Sequence, residues 1–410
     1  MPATLALLEG TPINCLLVTW SAGANAVAEQ EQRRLVTGYA REARGRRIAV
    51  LGVVYPGSDV GAAASLALAA GLDGLVLEGA FPESARFAEQ ARRAMGEKNR
   101  APVVFPMAGL EQLWRGAQGP VLAVSDSLWP GVRPLSEKGV TSGPSGDPWL
   151  DSNGWRVRSL RSRTDGRPVW LGHWPEKPRP NSYPRAVADA AMAGGRWIVT
   201  LDDELRVGLF QKQPAALATW RQGSAYIKFF EDHAEWRRFL PRARLAVMLD
   251  AAGKNSAMSG EALNLFARRQ IPYLVIHRRG LSQAALAGME TVVAVDLDPP
   301  TPTEREVLKA FVAGGGLVLA GPSWGHAGTT KTYAIERVGK GRVATYKTAP
   351  DPDTLSLDFT PADRQRKRWA PPVQHVLYSV VSCFRSGRQA RAARGGELRR
   401  FAGGSGDSAD

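Results

Sequence analysis

Cysteine is nearly missing from this 410-residue chain; Cys15 and Cys383 are the only two. With no C-x-x-C pair, a cysteine-based zinc or redox site is excluded. Cys15 lies within an apolar strand pattern and reads as a small core residue. The five histidines (His173, His233, His277, His326 and His375) form no H-x-H or H-x-x-x-H pair. No metal site and no cofactor are therefore expected. A G-x-x-x-x-G-K-[ST] phosphate loop is missing as well. No apolar run is long enough to span a bilayer, so a membrane is not an expected partner. The first residues carry neither a basic region nor a long apolar run. No export signal is expected, and the cytoplasm is the default location.

Positive charge is in excess, with a net +14. Its placement argues against nucleic acid as a partner. From Asp363 to Asp410, ten Arg and Lys stand against four Asp and Glu, which leaves +8 over the first 362 residues. A nucleic-acid surface would gather its basic residues on one face or helix. Hydrophobic residues make up 44% of the chain, enough for a sizeable core. A chain of this length suits two domains better than one.

What is there is an alternation. Short, β-branched apolar runs fall at 13–20, 48–55, 74–78, 102–107, 120–126, 168–174 and 197–203. Amphipathic helical patterns separate most of them, at 28–44, 61–70, 84–95 and 183–193. Continuous apolar runs suit strands buried on both faces of a parallel sheet. Seven strand–helix units in a row favour a TIM-barrel-like (β/α) domain over residues 1–240, with no evident eighth strand. The stretch 127–167 breaks the pattern and reads as a long loop. One or two helices are expected over 213–240.

Strands and helices resume after Pro241. They predict a doubly wound α/β domain over 241–350, flavodoxin-like in its alternation. One helix start is explicit, with Thr303, Glu304 and Glu306 after Pro300. Gly314, Gly315 and Gly316 end that helix. Residues 351–410 read as an irregular basic tail.

In a barrel the chemistry sits at the carboxyl ends of the strands. Acids there are Glu78, Asp126, Asp202 and Asp203, the candidates for paired acid/base or nucleophilic work on a glycosidic bond. Six of the twelve tryptophans fall between Trp129 and Trp197. Trp20, Trp129, Trp149, Trp155 and Trp174 are candidate stacking faces for sugar rings. Asp151, Asn153 and His173 complete the candidate binding set. Trp170 and Trp197 lie mid-strand and read as core. Gly321-Pro-Ser-Trp-Gly325 matches the serine-elbow pattern, but further strand, not a helix, is expected to follow it.

The order of parts resembles that of trimeric β-galactosidases and related glycoside hydrolases, a barrel followed by a glutamine-amidotransferase-like domain. Residues 292–320 carry the likeness, from Val292-Val-Ala-Val-Asp296 through Thr301-Pro-Thr-Glu304 to Gly314-Gly-Gly316-Leu-Val-Leu-Ala320. The segment Tyr226-Ile-Lys-Phe-Phe-Glu-Asp-His-Ala-Glu-Trp236 resembles the helix joining the two domains there. The resemblance implies a carbohydrate substrate, acted on by hydrolysis or bound without turnover. It carries over no catalytic pair, because no Asn-Glu motif ends a strand. Amidotransferase activity is not implied, because no cysteine lies between Cys15 and Cys383. Self-association into a homo-oligomer is the remaining expectation on partners.

Overall fold

The computed structural model describes residues 5–23, 26–81, 83–96, 102–116, 119–132, 134–135, 139–140, 145, 150–162, 166–173, 182–250, 253, 256–295, 297–325 and 332–357. Two parallel-stranded sheets dominate it. The first holds β1 (Cys15–Ser21), β2 (Ala49–Val54), β3 (Gly74–Glu78), β4 (Val103–Ala108), β5 (Leu122–Val124), β6 (Val169–Leu171) and β7 (Arg196–Trp197). They pair in chain order, all parallel, as a curled half-barrel. The helices between them are α1 (Ala26–Gly45), α2 (Val60–Ala70), α3 (Ser84–Met95), α4 (Leu110–Gly116), α5 (Gly154–Arg161) and α6 (Ser182–Met192).

Strand alternation sorts the side chains into two layers. Leu51, Val53, Val76, Phe105, Met107 and Ala123 pack on the concave side with Leu17 and Trp170. Their neighbours Val50, Val54, Leu75, Leu77 and Val104 pack outward against Ala40, Ala63, Ala67 and Ala88 of the helices. Both faces are buried, which is why these strands read as unbroken apolar runs. Gly172 lets the concave core close. A Cβ there would lie 2.1 Å from Met107 Cε.

The barrel is not closed. Among the described residues no strand joins β7 to β1. The chain instead continues into α7 (Asp203–Phe210) and α8 (Pro214–Asp232). The strand expected over 197–203 stops at Trp197, because Asp202 caps α7 and accepts the Leu205 N–H at 2.9 Å. Trp220 of α8 donates its indole N–H to Leu7 O at 2.9 Å and ties the amino-terminal turn across the seam. The predicted loop over 127–167 contains α5, which buries Trp155, Val157 and Leu160. Its short, charged sequence hides that apolar face.

The second sheet comprises β8 (Leu245–Leu249), β9 (Tyr273–His277), β10 (Thr291–Ala294), β11 (Leu317–Ala320), β12 (Tyr333–Val338) and β13 (Gly341–Tyr346). Its order is β9-β8-β10-β11-β13-β12, parallel except for the antiparallel edge strand β12. Helix α9 (Ser256–Arg268) covers one face through Leu263 and Phe266. Helix α10 (Pro302–Ala313) covers the other through Leu308 and Val312. A capping box starts α10. The Thr301 side chain accepts the Glu304 N–H, and the Glu304 carboxylate accepts the Thr301 N–H. The cap is thus Thr301, two residues before the Thr303 of the sequence reading.

One apolar cluster joins the two sheets, running from Leu122, Trp155 and Leu171 to Leu263, Tyr273 and Val293. The Arg158 guanidinium lies over the Tyr273 ring at 4.8 Å. Trp114 meets His277 edge-on at 6.4 Å. Helix α9 also holds the long connection after β5. Glu261 accepts from Ser145 N and Oγ, and Asn264 donates to Leu150 O at 2.8 Å. Helix α11 (Pro352–Leu357) begins the segment expected to be irregular; Leu355 is fully buried, and Asp353 pairs with Arg269 at 2.8 Å. Among the described residues no helix is long and apolar enough to cross a membrane.

Candidate active site at the barrel mouth

A cavity of about 650 Å³ follows the open seam of the half-barrel. Its walls run from Cys15 and Arg196, at the starts of β1 and β7, to Tyr55, Glu78 and His173 at the far strand ends. The second end is the barrel mouth, where parallel strands direct functional groups.

Glu78 closes β3 and is only 9% exposed. Its neighbour Tyr55 follows β2 and sets a half-buried phenol beside the Glu78 charge. Burial, and then the Glu78 charge, push the Tyr55 hydroxyl up to about 12, so the phenol stays protonated well into the alkaline range. His173 borders the same cavity, with its ring 6.4 Å from that of Trp129. Trp129 in turn packs on Tyr183 at 5.2 Å and Trp197 at 5.1 Å.

The other strand-end acids have different surroundings. Asp126 is exposed and accepts the Leu110 N–H at 3.1 Å, capping α4. Asp202 caps α7 and accepts the Tyr183 hydroxyl at 2.7 Å. Asp203 stands in solvent, paired with Arg206 at 2.8 Å. None of the three borders the cavity.

Asp151, Asn153 and Trp155 lie together behind the mouth. Asn153 is fully buried; it accepts from Leu128 N and donates to Leu128 O and to Asp189. Burial holds the Asp189 carboxyl above its usual range, against bonds from Ser152 and Asn153 and the Arg156 charge. Asp151 is buried within reach of the Arg156 charge. Burial pulls that guanidinium below its ordinary value, opposed by Asp126, Asp151 and Asp189. Trp155 is held between the sheets, its ring against Gly260. Trp20 is 1% exposed on the convex side, donating to Ala63 O at 2.8 Å. Trp149 and Trp174 lie outside the described residues.

Sequence reasoning had placed Trp170 and Trp197 in the core. Both also border the cavity, and Trp170 meets Phe105 edge-on at 5.5 Å. Tyr55 stands at a strand end in the sequence but carried no assigned role, and Ser125 was not among the candidates; it too follows a strand end, the one signal that could have found it. Cys15 lines the cavity floor, and burial followed by the Asp73 charge pushes its thiol up to about 11. It stays a protonated, poorly nucleophilic thiol. Ser323 of the G-x-S-x-G match begins no α-helix, and its hydroxyl donates to Leu297 O at 2.5 Å. Among the described residues no cluster of three or more His, Cys, Asp or Glu could hold a metal.

No protein-family model matches the chain, and no curated protein matches it in sequence. Solved structures do share its shape. The exo-beta-1,4-mannosidase Op5Man5 from Opitutaceae bacterium strain TAV5 aligns with a TM-score of 0.54 at 12% identity, over 88% of each chain. Alpha-L-fucosidase isoenzyme 2 from Paenibacillus thiaminolyticus aligns at 0.50 and 13% identity, over 78% of this chain. This chain spans 61% of the fucosidase's length. At these identities the likeness is one of fold: the chain has a glycosidase-like (β/α) scaffold.

Proposed function

We propose that this chain is a glycoside hydrolase that acts at the barrel mouth, with Glu78 as its working carboxylate. The carrying observation is the placement of Glu78. It ends a barrel strand, borders the cavity and lies beside the half-buried Tyr55 phenol. A carboxylate so placed can protonate a leaving oxygen or attack an anomeric carbon. His173 supplies a polar wall of the same cavity, and Trp170 an apolar one. The similar structures are titled as a mannosidase and a fucosidase, which puts carbohydrate first among substrates to test.

Hydrolysis needs a second carboxylate. Asp126 and Asp202 are committed to helix caps. In chain order the next acid after His173 is Glu176, and it is the partner to substitute first. A second reading, sugar binding without turnover, rests on Glu78 being the one carboxylate at the strand ends among the described residues of the cavity wall.

The second sheet is proposed as the amidotransferase-like domain. Its parallel strands follow the 2-1-3-4 order of flavodoxin-like sheets. With no cysteine nucleophile available, its part is to hold the barrel through α9. The boundaries near 240 and 350 are part of the same proposal.

The test is hydrolysis of aryl glycosides and polysaccharides by the wild type and by Glu78→Gln, Glu176→Gln, Asp126→Asn and Asp202→Asn. Turnover lost in the two glutamine variants and kept in the two asparagine variants supports the hydrolase. Sugar binding without turnover, weakened by Trp129→Ala, supports the second reading. Neither turnover nor binding rejects both.

A further inference from the structure

The cavity is larger and more apolar than a sugar ring requires. Below Glu78 its walls are Leu17, Val53, Met107, Trp170, Ile198 and Trp220. Along β1 it reaches from Cys15 to Thr19, about 13 Å at the strand rise. Most polar groups gather toward its two ends. The mouth end has Thr19, Tyr55, Glu78, Ser125 and His173, Asn14 precedes β1, and Thr200 and Arg206 follow β7. The floor has Arg196, Glu231 and Arg237, where Glu231 accepts from both guanidiniums at 2.6–3.1 Å. The two Arg charges draw Glu231 below its usual range against burial. The floor is thus a paired network with its acid already committed.

We infer that the seam cavity takes the apolar aglycone of an amphiphilic glycoside, an alkyl or aryl chain, with the sugar at Glu78. This rests on the proposed sugar site and names its substrate class. A polar head at the mouth and an uncharged chain along the apolar middle of the seam match the wall chemistry there. A second sugar in the seam would find few hydrogen-bond partners between Thr19 and the floor, and desolvated hydroxyls without partners are costly. A chain ending in a carboxylate would compete with Glu231 for its arginines. Among the described residues no strand closes the seam: where a closed barrel would place one, α8 and the amino-terminal turn leave an apolar channel.

The experiment is calorimetric binding of methyl, hexyl and octyl glycosides of glucose, galactose and mannose, and of octanol. All are kept below their critical micelle concentrations. Each buried methylene contributes roughly fourfold in affinity. Octyl glycosides are therefore expected to bind at least ~50-fold more tightly than methyl glycosides of the same sugar, with hexyl between them. Leu17→Trp, which fills the channel, should bring the octyl-to-methyl ratio toward one. The wild-type series stands by itself should that variant fail to fold. Equal affinity for methyl and octyl glycosides overturns the inference and leaves the sugar site intact. Octanol binding as tightly as the octyl glycosides, with no methyl glycoside bound, overturns it through failure of the sugar reading.

Discussion

Tyr55 and Glu78 follow and end neighbouring strands of the barrel sheet, and the half-buried phenol of one faces the charge of the other. The pair makes stability depend on pH in a defined direction. An unfolded tyrosine loses its proton near ~10, whereas folded Tyr55 keeps it to about 12. The contribution is complete below pH ~10 and is lost as pH rises through 12. Urea unfolding at rising alkaline pH should show a smaller loss for Tyr55→Phe than for the wild type. Identical losses would mean that the phenol is not shielded beside Glu78 in solution.

Asp189 is the anchor beneath the mouth. Its carboxylate accepts from Ser152 Oγ, Asn153 N and Asn153 Nδ2 at 2.7–3.1 Å. Asn153 then holds Leu128, the residue before Trp129. Asp189→Ala leaves these donors buried and unpaired, at about 2–3 kcal/mol. Trp129 fluorescence should change with it. Stability within ~0.5 kcal/mol of the wild type would show that the donors find water or other partners.

Gly260 marks where the two sheets meet. A Cβ added there would lie 2.8 Å from the Trp155 ring. An indole wedged between two layers yields poorly, so Gly260→Ala is expected to cost about 1–3 kcal/mol. Gly38 is the contrast. It lies inside α1, and a Cβ there meets nothing within 4 Å. Gly38→Ala should stabilise by about 0.5–1 kcal/mol through helix propensity. Thermal melts of the two variants moving in the same direction would contradict the packing described.

Much of the architecture was readable along the chain. All seven barrel strands and the six strands of the second sheet fall within the apolar runs or overlap them, because burial on both faces demands such runs. Helix α5 was not readable. Its eight residues include three arginines, and its apolar side is defined by α9 about a hundred residues later.

The candidate acids divide on the same ground. Glu78, Asp126 and Asp202 look alike in the sequence, as acids at or just after strand ends. Only the curl of the sheet and the starts of α4 and α7 separate a carboxylate facing the cavity from two that cap helices. Trp20 at a strand end and Trp155 in a predicted loop pointed to the sugar site, while the tertiary contacts bury both among apolar neighbours. The sequence by itself determined that there would be parallel strands and crossover helices, since those follow from local periodicity; with no evident eighth run, it left open whether the barrel closes. Which side chains meet at the mouth, and that an apolar channel lies beneath it, was decided by tertiary structure. Those contacts join residues far apart in the chain, and no local pattern encodes them.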